Sequence, residues 1–262
     1  MLTNTVIVFL RDFLPIFILL TYLTVFTRAP MFSMRVWAPW VIPGLLLAFA
    51  GLTIIEAIAQ TFDGAGLEIT NSALLLLSFV ALLVASIMLM HESKNRSAQW
   101  MLLCGTCLFV TYKLIELFIF FGVFWQKVDS LQDLLIGCIV GVGICVSFSA
   151  LLHFLLTELF VSRLRHIVIV MWCAFLAGQF GQITGLLSQV DLLSLGAPVF
   201  NFNQVIADSS EYGHVLNALV GYEASPTSGF LWVYFICFAC ATALCIGWDR
   251  MLSRGSRSNE NE

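Results

Sequence analysis

The eight residues Thr111–Phe118, TYKLIELF, place a lysine and a glutamate three positions apart inside an otherwise apolar run. The run continues through Ile119, Phe120 and Phe121, so both charges lie within a segment that suits a lipid environment. Each ionised side chain at membrane depth costs several kcal/mol unless a partner compensates it. The stretch therefore predicts a membrane-spanning helix whose two charges, Lys113 and Glu116, need partners close by.

The composition of the whole chain agrees with a membrane protein. Of its 262 residues, 60% are hydrophobic and only 11% are charged, whereas soluble domains have about 25% charged residues. The charged residues cluster between apolar runs, as loops between membrane helices require. These features predict an all-α polytopic membrane protein in a lipid bilayer, with no nucleic-acid partner. Because no nucleophile–base set or metal cluster occurs at useful spacing, we expect neither an enzyme nor a tightly bound cofactor.

Apolar runs of about 20 or more residues mark seven membrane spans. We place them at about 5–27, 36–60, 69–90, 99–124, 131–160, 165–189 and 229–249. Residues 1–249 thus form one transmembrane domain, and the Ser-, Arg- and Glu-rich residues 250–262 are expected to be a disordered tail.

The basic residues predict the orientation of these spans. Nine of the twelve lysines and arginines follow spans one, three, five and seven, which all end on the same side. These nine are Arg28, Arg35, Lys94, Arg96, Arg163, Arg165, Arg250, Arg254 and Arg257. The positive-inside rule then puts the N-terminus outside and the C-terminus, with its tail, in the cytoplasm.

The long outer loop between spans six and seven contains a helix signal. Asp208-Ser209-Ser210-Glu211 offers N-cap chemistry, apolar residues recur at helical spacing, and Gly221 ends the pattern. We expect an amphipathic segment at about 205–221 that lies on the membrane surface or plugs the outer mouth.

Spans one and four also align with each other. Arg11–Ile18 matches Tyr112–Ile119 in the order of polar and apolar positions. Since each unit would contain three spans, an odd number, the second copy would be inverted in the membrane, as in many transporters. The expected architecture is therefore a pair of inverted three-helix repeats plus a seventh helix.

The two aligned stretches reach similar depths in the membrane. At about 1.5 Å per residue, Arg11 lies about 9 Å and Glu116 about 12 Å below the outer boundary. We expect Asp12 to pair with Lys113 and Arg11 with Glu116 across the helix interface, so that the four charges cancel. The other intramembrane polar residues are Glu56, His153, Glu158, Gln179 and Gln182, of which His153 is expected to be a hydrogen-bonded core residue.

This arrangement resembles the high-affinity iron permeases, which partner a multicopper ferroxidase in fungi and belong to iron-uptake operons in bacteria. The family has seven spans, an outer N-terminus and an Arg-Glu-x-x-Glu motif in spans one and four. Arg11–Pro15 and Tyr112–Glu116 stand where those motifs belong, and the outer segment Leu216–Tyr222, followed by Ser225-Pro226, is similar in style. The resemblance implies iron as the transported ion, a site between spans one and four, and the bacterial inner membrane.

The motifs depart from the family pattern at several positions. Asp12 shortens the first carboxylate, Pro15 replaces the second and should kink span one, and Lys113 stands where another glutamate belongs. Tyr112 replaces an arginine, which leaves Arg11, Asp12, Tyr112, Lys113 and Glu116 as the transport motif. The resemblance assigns metal binding to Asp12 and Glu116. Glu56 and Glu68, on the outer side, are accessory candidates.

Three alternatives for the function remain open from the sequence. The chain is a divergent permease that moves iron or a related cation, or it is a non-conducting pseudo-permease, a membrane subunit of an iron-, copper- or electron-handling complex. A periplasmic ferroxidase, copper protein or haem protein is the expected partner, and the oligomeric state is left open. An unrelated seven-span sensor or small-molecule transporter is the third alternative.

Overall fold

The computed structural model describes residues 2–27, 34–91, 96–125, 131–162 and 164–259. Within these ranges the chain is helical, apart from turns, irregular loop segments between spans six and seven, and one isolated antiparallel bridge between Pro198 and Thr227. The helices are α1 (Leu2–Val8), α2 (Leu14–Phe26), α3 (Met34–Ala59), α4 (Gly66–His91), α5 (Arg96–Trp125), α6 (Leu131–Val161), α7 (Arg165–Gln189), α8 (Glu211–Val220) and α9 (Ser228–Asn259).

Seven helical segments in the described residues are long and apolar enough to cross a membrane, so the predicted number of spans is confirmed. They are Thr5–Phe26, Trp37–Ala59, Gly66–Leu89, Arg96–Gly122, Leu134–Val161, Arg165–Gln189 and Ser228–Gly247. The predicted spans agree with these bounds to within a few residues. The chain is therefore an all-helical integral membrane protein.

The seventh helix differs from the prediction at its C-terminal end. Residues 250–262 are predicted from the sequence to be a disordered tail, whereas α9 continues as far as Asn259. No proline occurs between Ser228 and Asn259, so nothing removes a backbone hydrogen bond beyond the last apolar turn. Residues 260–262 lie outside the described part.

Span one is not a regular α-helix. A π turn, Phe9–Phe13, joins α1 to α2, and the Leu14 N–H bonds to the Phe9 carbonyl five residues back. The sequence predicts a kink at Pro15, and the irregularity is instead a π turn that ends two residues before this proline. Pro15 has no N–H to offer to the Arg11 carbonyl, which disfavours regular α-helical bonding at this point. The two charged residues of span one thus lie on irregular backbone.

Spans one, four and six occupy the centre of the bundle. In their most apolar windows, 78% of span one and 67% of spans four and six are buried inside the protein, against 11% of spans two and seven. The outer spans expose apolar side chains such as Leu46, Phe49 and Trp232, as helices facing lipid do. Spans one and four, which carry Arg11, Asp12, Lys113 and Glu116, are therefore among the enclosed helices.

Helix α8 forms where the sequence predicts a helix, and its caps explain its bounds. The Ser210 hydroxyl accepts from the Gly213 N–H at 3.0 Å, and Gly221 ends the helix with a left-handed φ of 71°. The predicted segment begins six residues too early, because residues 205–210 form turns before the N-cap.

A pair of glycines allows α8 to pack closely against span six. A Cβ on Gly178 would lie 2.6 Å from the Gly221 nitrogen, and Gly221 likewise approaches the Gly178 backbone. One turn further along α7, a Cβ on Gly181 would lie 2.6 Å from the Phe230 ring of α9. These small residues allow the segment between spans six and seven to pack directly on the bundle.

The inverted repeat remains a prediction. Span one packs on span five and span two on span four, an exchange of partners that inversion would produce.

Candidate solute site between spans one, four and six

A cavity of 440 Å³ lies where the π turn, α5, α7 and α8 meet. All five residues of the predicted transport motif line it: Arg11, Asp12, Tyr112, Lys113 and Glu116. They come from two helices about one hundred residues apart in sequence, and both stretches reach the same cavity, as the depth argument predicts. The fold thus gathers the motif into one site.

In span one, Arg11 and Asp12 pair with each other. The guanidinium donates from Nε and one terminal nitrogen to the two Asp12 carboxylate oxygens, both at 2.9 Å. The Asp12 side chain is fully buried, whereas the Arg11 side chain is 52% exposed. The carboxylate is therefore held in a two-point ion pair beneath the cavity surface.

In span four, Lys113 and Glu116 pair with each other one turn apart. The Lys113 side chain is 3% exposed, and its ammonium donates to Glu116 Oε2 at 3.3 Å and lies 4.7 Å from the centre of the Tyr112 ring. The Tyr112 hydroxyl donates to the other Glu116 oxygen at 3.0 Å. Both oxygens of this carboxylate therefore have donors from its own helix.

The predicted pairing across the helix interface is wrong. Neither Asp12–Lys113 nor Arg11–Glu116 is an ion pair, although Arg11 lies within electrostatic range of Glu116. The prediction treated Arg11 and Asp12 as neighbours that point apart by about 100° on an α-helix. The long guanidinium bridges that separation on the irregular π turn, and each charge is compensated within its own helix.

Span six adds a third wall that contacts the lysine. Lys113 Nζ also donates to Gln182 Oε1 at 3.3 Å, and Gln182 Nε2 donates to Asn217 Oδ1 of α8 at 3.4 Å. Asn217 in turn donates to the Tyr222 carbonyl at 2.9 Å. A chain of hydrogen bonds thus runs from the buried ammonium to the segment that covers the cavity.

Three ionisable residues from the segment between spans six and seven complete the lining. We call Asp208, His214 and Glu223 the rim. Asp208 Oδ1 accepts from the Ala224 N–H at 2.7 Å. Burial, with a smaller effect of Asp208, raises the pKa of Glu223. Burial and then the nearby Arg11 lower the pKa of His214, while Asp12, Asp208 and Glu211 oppose that shift.

Sequence reasoning found only part of this lining. It names Gln182 as an intramembrane polar group and Asp208 as part of the N-cap sequence of the outer segment, without placing either at the site. His214 and Asn217 were missed as site residues, although their position between the Ser210 cap and Gly221 indicates a helix that covers the bundle. Their contact with the motif depends on the packing of Gly178 and Gly221, which sequence periodicity does not reveal.

The two accessory candidates do not belong to the cavity. Glu56 is exposed near the end of α3, and Glu68 lies in the first turn of α4. Neither lines the cavity with the motif residues.

The carboxylates of the cavity are not arranged as a preformed metal site in the described part of the chain. Within the described ranges, no group of three or more His, Cys, Asp and Glu side chains has the geometry to hold a metal ion. Asp12 and Glu116, the metal ligands that the resemblance implies, both line the cavity but are each bonded to a cation. An incoming metal ion must therefore compete with Arg11 and Lys113 for these oxygens.

Comparison of the chain with protein-family models, curated proteins and solved structures finds no match.

Proposed function

We propose that the chain is a permease-type membrane protein that binds its solute in the cavity between spans one, four and six. The observation that carries this proposal is the convergence of all five motif residues on one polar cavity inside an otherwise apolar bundle. Ionisable residues at membrane depth characteristically mark solute pathways. Irregular helical backbone next to such a cavity, here the π turn, is a recurring feature of transporter sites.

Iron, or a related cation, is the proposed cargo. This assignment rests on the resemblance of Arg11–Pro15, Tyr112–Glu116 and the Gly221-Tyr222 segment to the iron permeases. Asp12 and Glu116 are the proposed metal-binding carboxylates, with Arg11 and Lys113 as resident counter-ions that neutralise them while the site is empty. The proposal includes a bacterial inner membrane as the location. It also includes an outer N-terminus and a cytoplasmic C-terminus, an orientation that agrees with the distribution of basic residues.

A second candidate function is that of a non-conducting pseudo-permease. The observation that favours it is that both carboxylates are already occupied by cations of their own helices. In this role the four charges are structural, and the chain is the membrane subunit of a complex with a periplasmic ferroxidase, copper protein or haem protein.

Iron uptake in a transport-deficient host separates the two candidates. For the permease, the native chain restores uptake of radioactive iron, Glu116→Gln abolishes it, and Glu158→Gln, an exposed carboxylate on α6, leaves it intact. For the pseudo-permease, the native chain gives no uptake at matched expression, while Lys113→Glu, which restores a family carboxylate, gives some. Co-purification of a copper or haem protein with an inactive native chain supports the second candidate.

A further inference from the structure

The two cations of the cavity have donors beyond those used in their ion pairs. An ammonium carries three N–H groups and a guanidinium five. Among the described residues, Lys113 donates to two acceptors, Glu116 and Gln182. Arg11 uses two of its donors in hydrogen bonds to Asp12. Its side chain lines the cavity and is 52% exposed. The inner part of the cavity therefore offers N–H donors that suit a carboxylate.

The rim offers the opposite charge. Asp208 and Glu223 line the same cavity, and neither forms an ion pair with a lysine or arginine in the described ranges. Because the motif charges cancel in pairs, these two carboxylates leave the lining with an excess of negative charge. The cavity lining thus combines cationic donors from spans one and four with uncompensated carboxylates from the segment between spans six and seven.

This arrangement of charges does not suit the binding of a bare metal ion. Hard iron ions prefer several oxygen ligands, yet the inner carboxylates reach such an ion only after leaving Arg11 and Lys113. Separating such a pair leaves Arg11 or Lys113 without its carboxylate partner, and an uncompensated charge at a buried or partly buried position is costly. A cargo that brings its own oxygen ligands avoids this cost.

We infer that the cavity takes iron as a complex with a small polycarboxylate, not as a bare ion. A free carboxylate of the ligand accepts from Lys113 and Arg11, and the metal centre faces Asp208 and Glu223. Both ion pairs of the motif remain intact, so Asp12 and Glu116 act in this form of the proposal by positioning Arg11 and Lys113, and not as ligands of the metal. A volume of 440 Å³ lies within the range of about 300–1,000 Å³ of small-molecule sites. This inference rests on the proposed function, since it takes iron as the cargo and names its chemical form.

Equilibrium binding to the full chain in lipid nanodiscs tests the inference. Three probes are compared: doubly labelled ferric citrate, citrate alone, and Fe²⁺ kept reduced with ascorbate. We expect ferric citrate to bind with iron and citrate in constant ratio, and at least tenfold more tightly than either other probe. Lys113→Met should weaken binding of the complex about tenfold, which is the effect of losing one charge-assisted hydrogen bond. Glu158→Gln is the matched control.

A rim variant keeps the test decisive if Lys113→Met fails to fold. Asp208→Asn retains an oxygen for the Ala224 N–H but removes the charge. We expect it to weaken ferric citrate binding several-fold while strengthening binding of citrate alone, because the metal loses an attraction and the free anion loses a repulsion.

The outcomes distinguish the inference from the proposed function. Binding of Fe²⁺ but not of the complex overturns the inference and leaves the permease proposal standing. Equal binding of citrate with and without iron also overturns the inference. If no probe binds and the native chain moves no iron in cells, the proposed function fails together with it.

Discussion

Lys113 and Glu116 face each other across one turn of α5, with the ammonium 3.3 Å from Oε2, so span four neutralises its own charge. Arg11 and Asp12 do the same in span one. Because each helix compensates its own charges, the predicted transport motif can line one cavity from two helices without an ion pair that holds those helices together. This separation suits a site in which two halves of a bundle move against each other.

The Lys113–Glu116 pair should show energetic coupling. Lys113→Met leaves a carboxylate without its cation, and since the Glu116 side chain is 23% exposed, we expect a loss of about 1–3 kcal/mol of unfolding free energy. The double variant Lys113→Met/Glu116→Gln should recover most of that loss. Unfolding by denaturant in detergent micelles gives the four values of the cycle. If the changes in unfolding free energy of the two single variants simply add in the double variant, Lys113 and Glu116 do not interact.

The glycine contact between span six and α8 should be intolerant of side chains. A Cβ on Gly178 would lie 2.6 Å from the Gly221 nitrogen, so Gly178→Ala should destabilise the protein by about 1–3 kcal/mol. The control is Gly185→Ala on the same helix, where a Cβ meets nothing within 4 Å. Thermal unfolding in detergent compares the two variants, and equal melting temperatures would argue against close packing of α8 on span six.

The N-cap of α8 should control the order of the segment that covers the cavity. Ser210→Ala removes the acceptor for the Gly213 N–H, a loss of about 1 kcal/mol for a typical cap. Hydrogen exchange should therefore accelerate several-fold in residues 211–220, and Ser209→Ala, at an exposed position, should leave it unchanged. Exchange at native rates in Ser210→Ala would show that tertiary contacts alone hold α8.

His214 should make the folded state sensitive to mild acid. Burial lowers its pKa below the ordinary 6.5, so the unfolded chain binds a proton at higher pH than the folded protein does. Stability is then lost as the pH falls through about 6.5 towards the lower folded value, and the loss is constant below it. Melting temperatures at pH 7.5 and 5.5 should differ less for His214→Gln than for the native chain. An identical difference in both would exclude this contribution of His214.

The fold could be predicted from the sequence where a single physical requirement decides it. Lipid requires about 20 apolar residues per span, so hydropathy alone locates all seven helices. Ser210 and Gly221 bound α8 because capping depends on neighbouring residues only. The meeting of Arg11 and Glu116 in one cavity follows from their similar depth in the membrane.

The remaining features depend on tertiary packing. Whether Lys113 pairs with Asp12 or with Glu116 is decided by side-chain geometry at a π turn, which helical periodicity does not represent. The close packing of Gly221 on Gly178 determines how α8 lies on span six, and therefore where Gln182, Asn217 and His214 meet. A prediction that ranks intramembrane polar residues by charge alone therefore finds the motif and misses the third wall of the site.

Uptake of radioactive iron into proteoliposomes containing the purified native chain tests the central claim most directly. With iron supplied as ferric citrate, and in parallel as reduced Fe²⁺, the account predicts saturable uptake that Glu116→Gln abolishes and Glu158→Gln preserves. Uptake in neither form above that of empty vesicles, by a correctly folded native chain, would contradict the claim that this cavity serves transport.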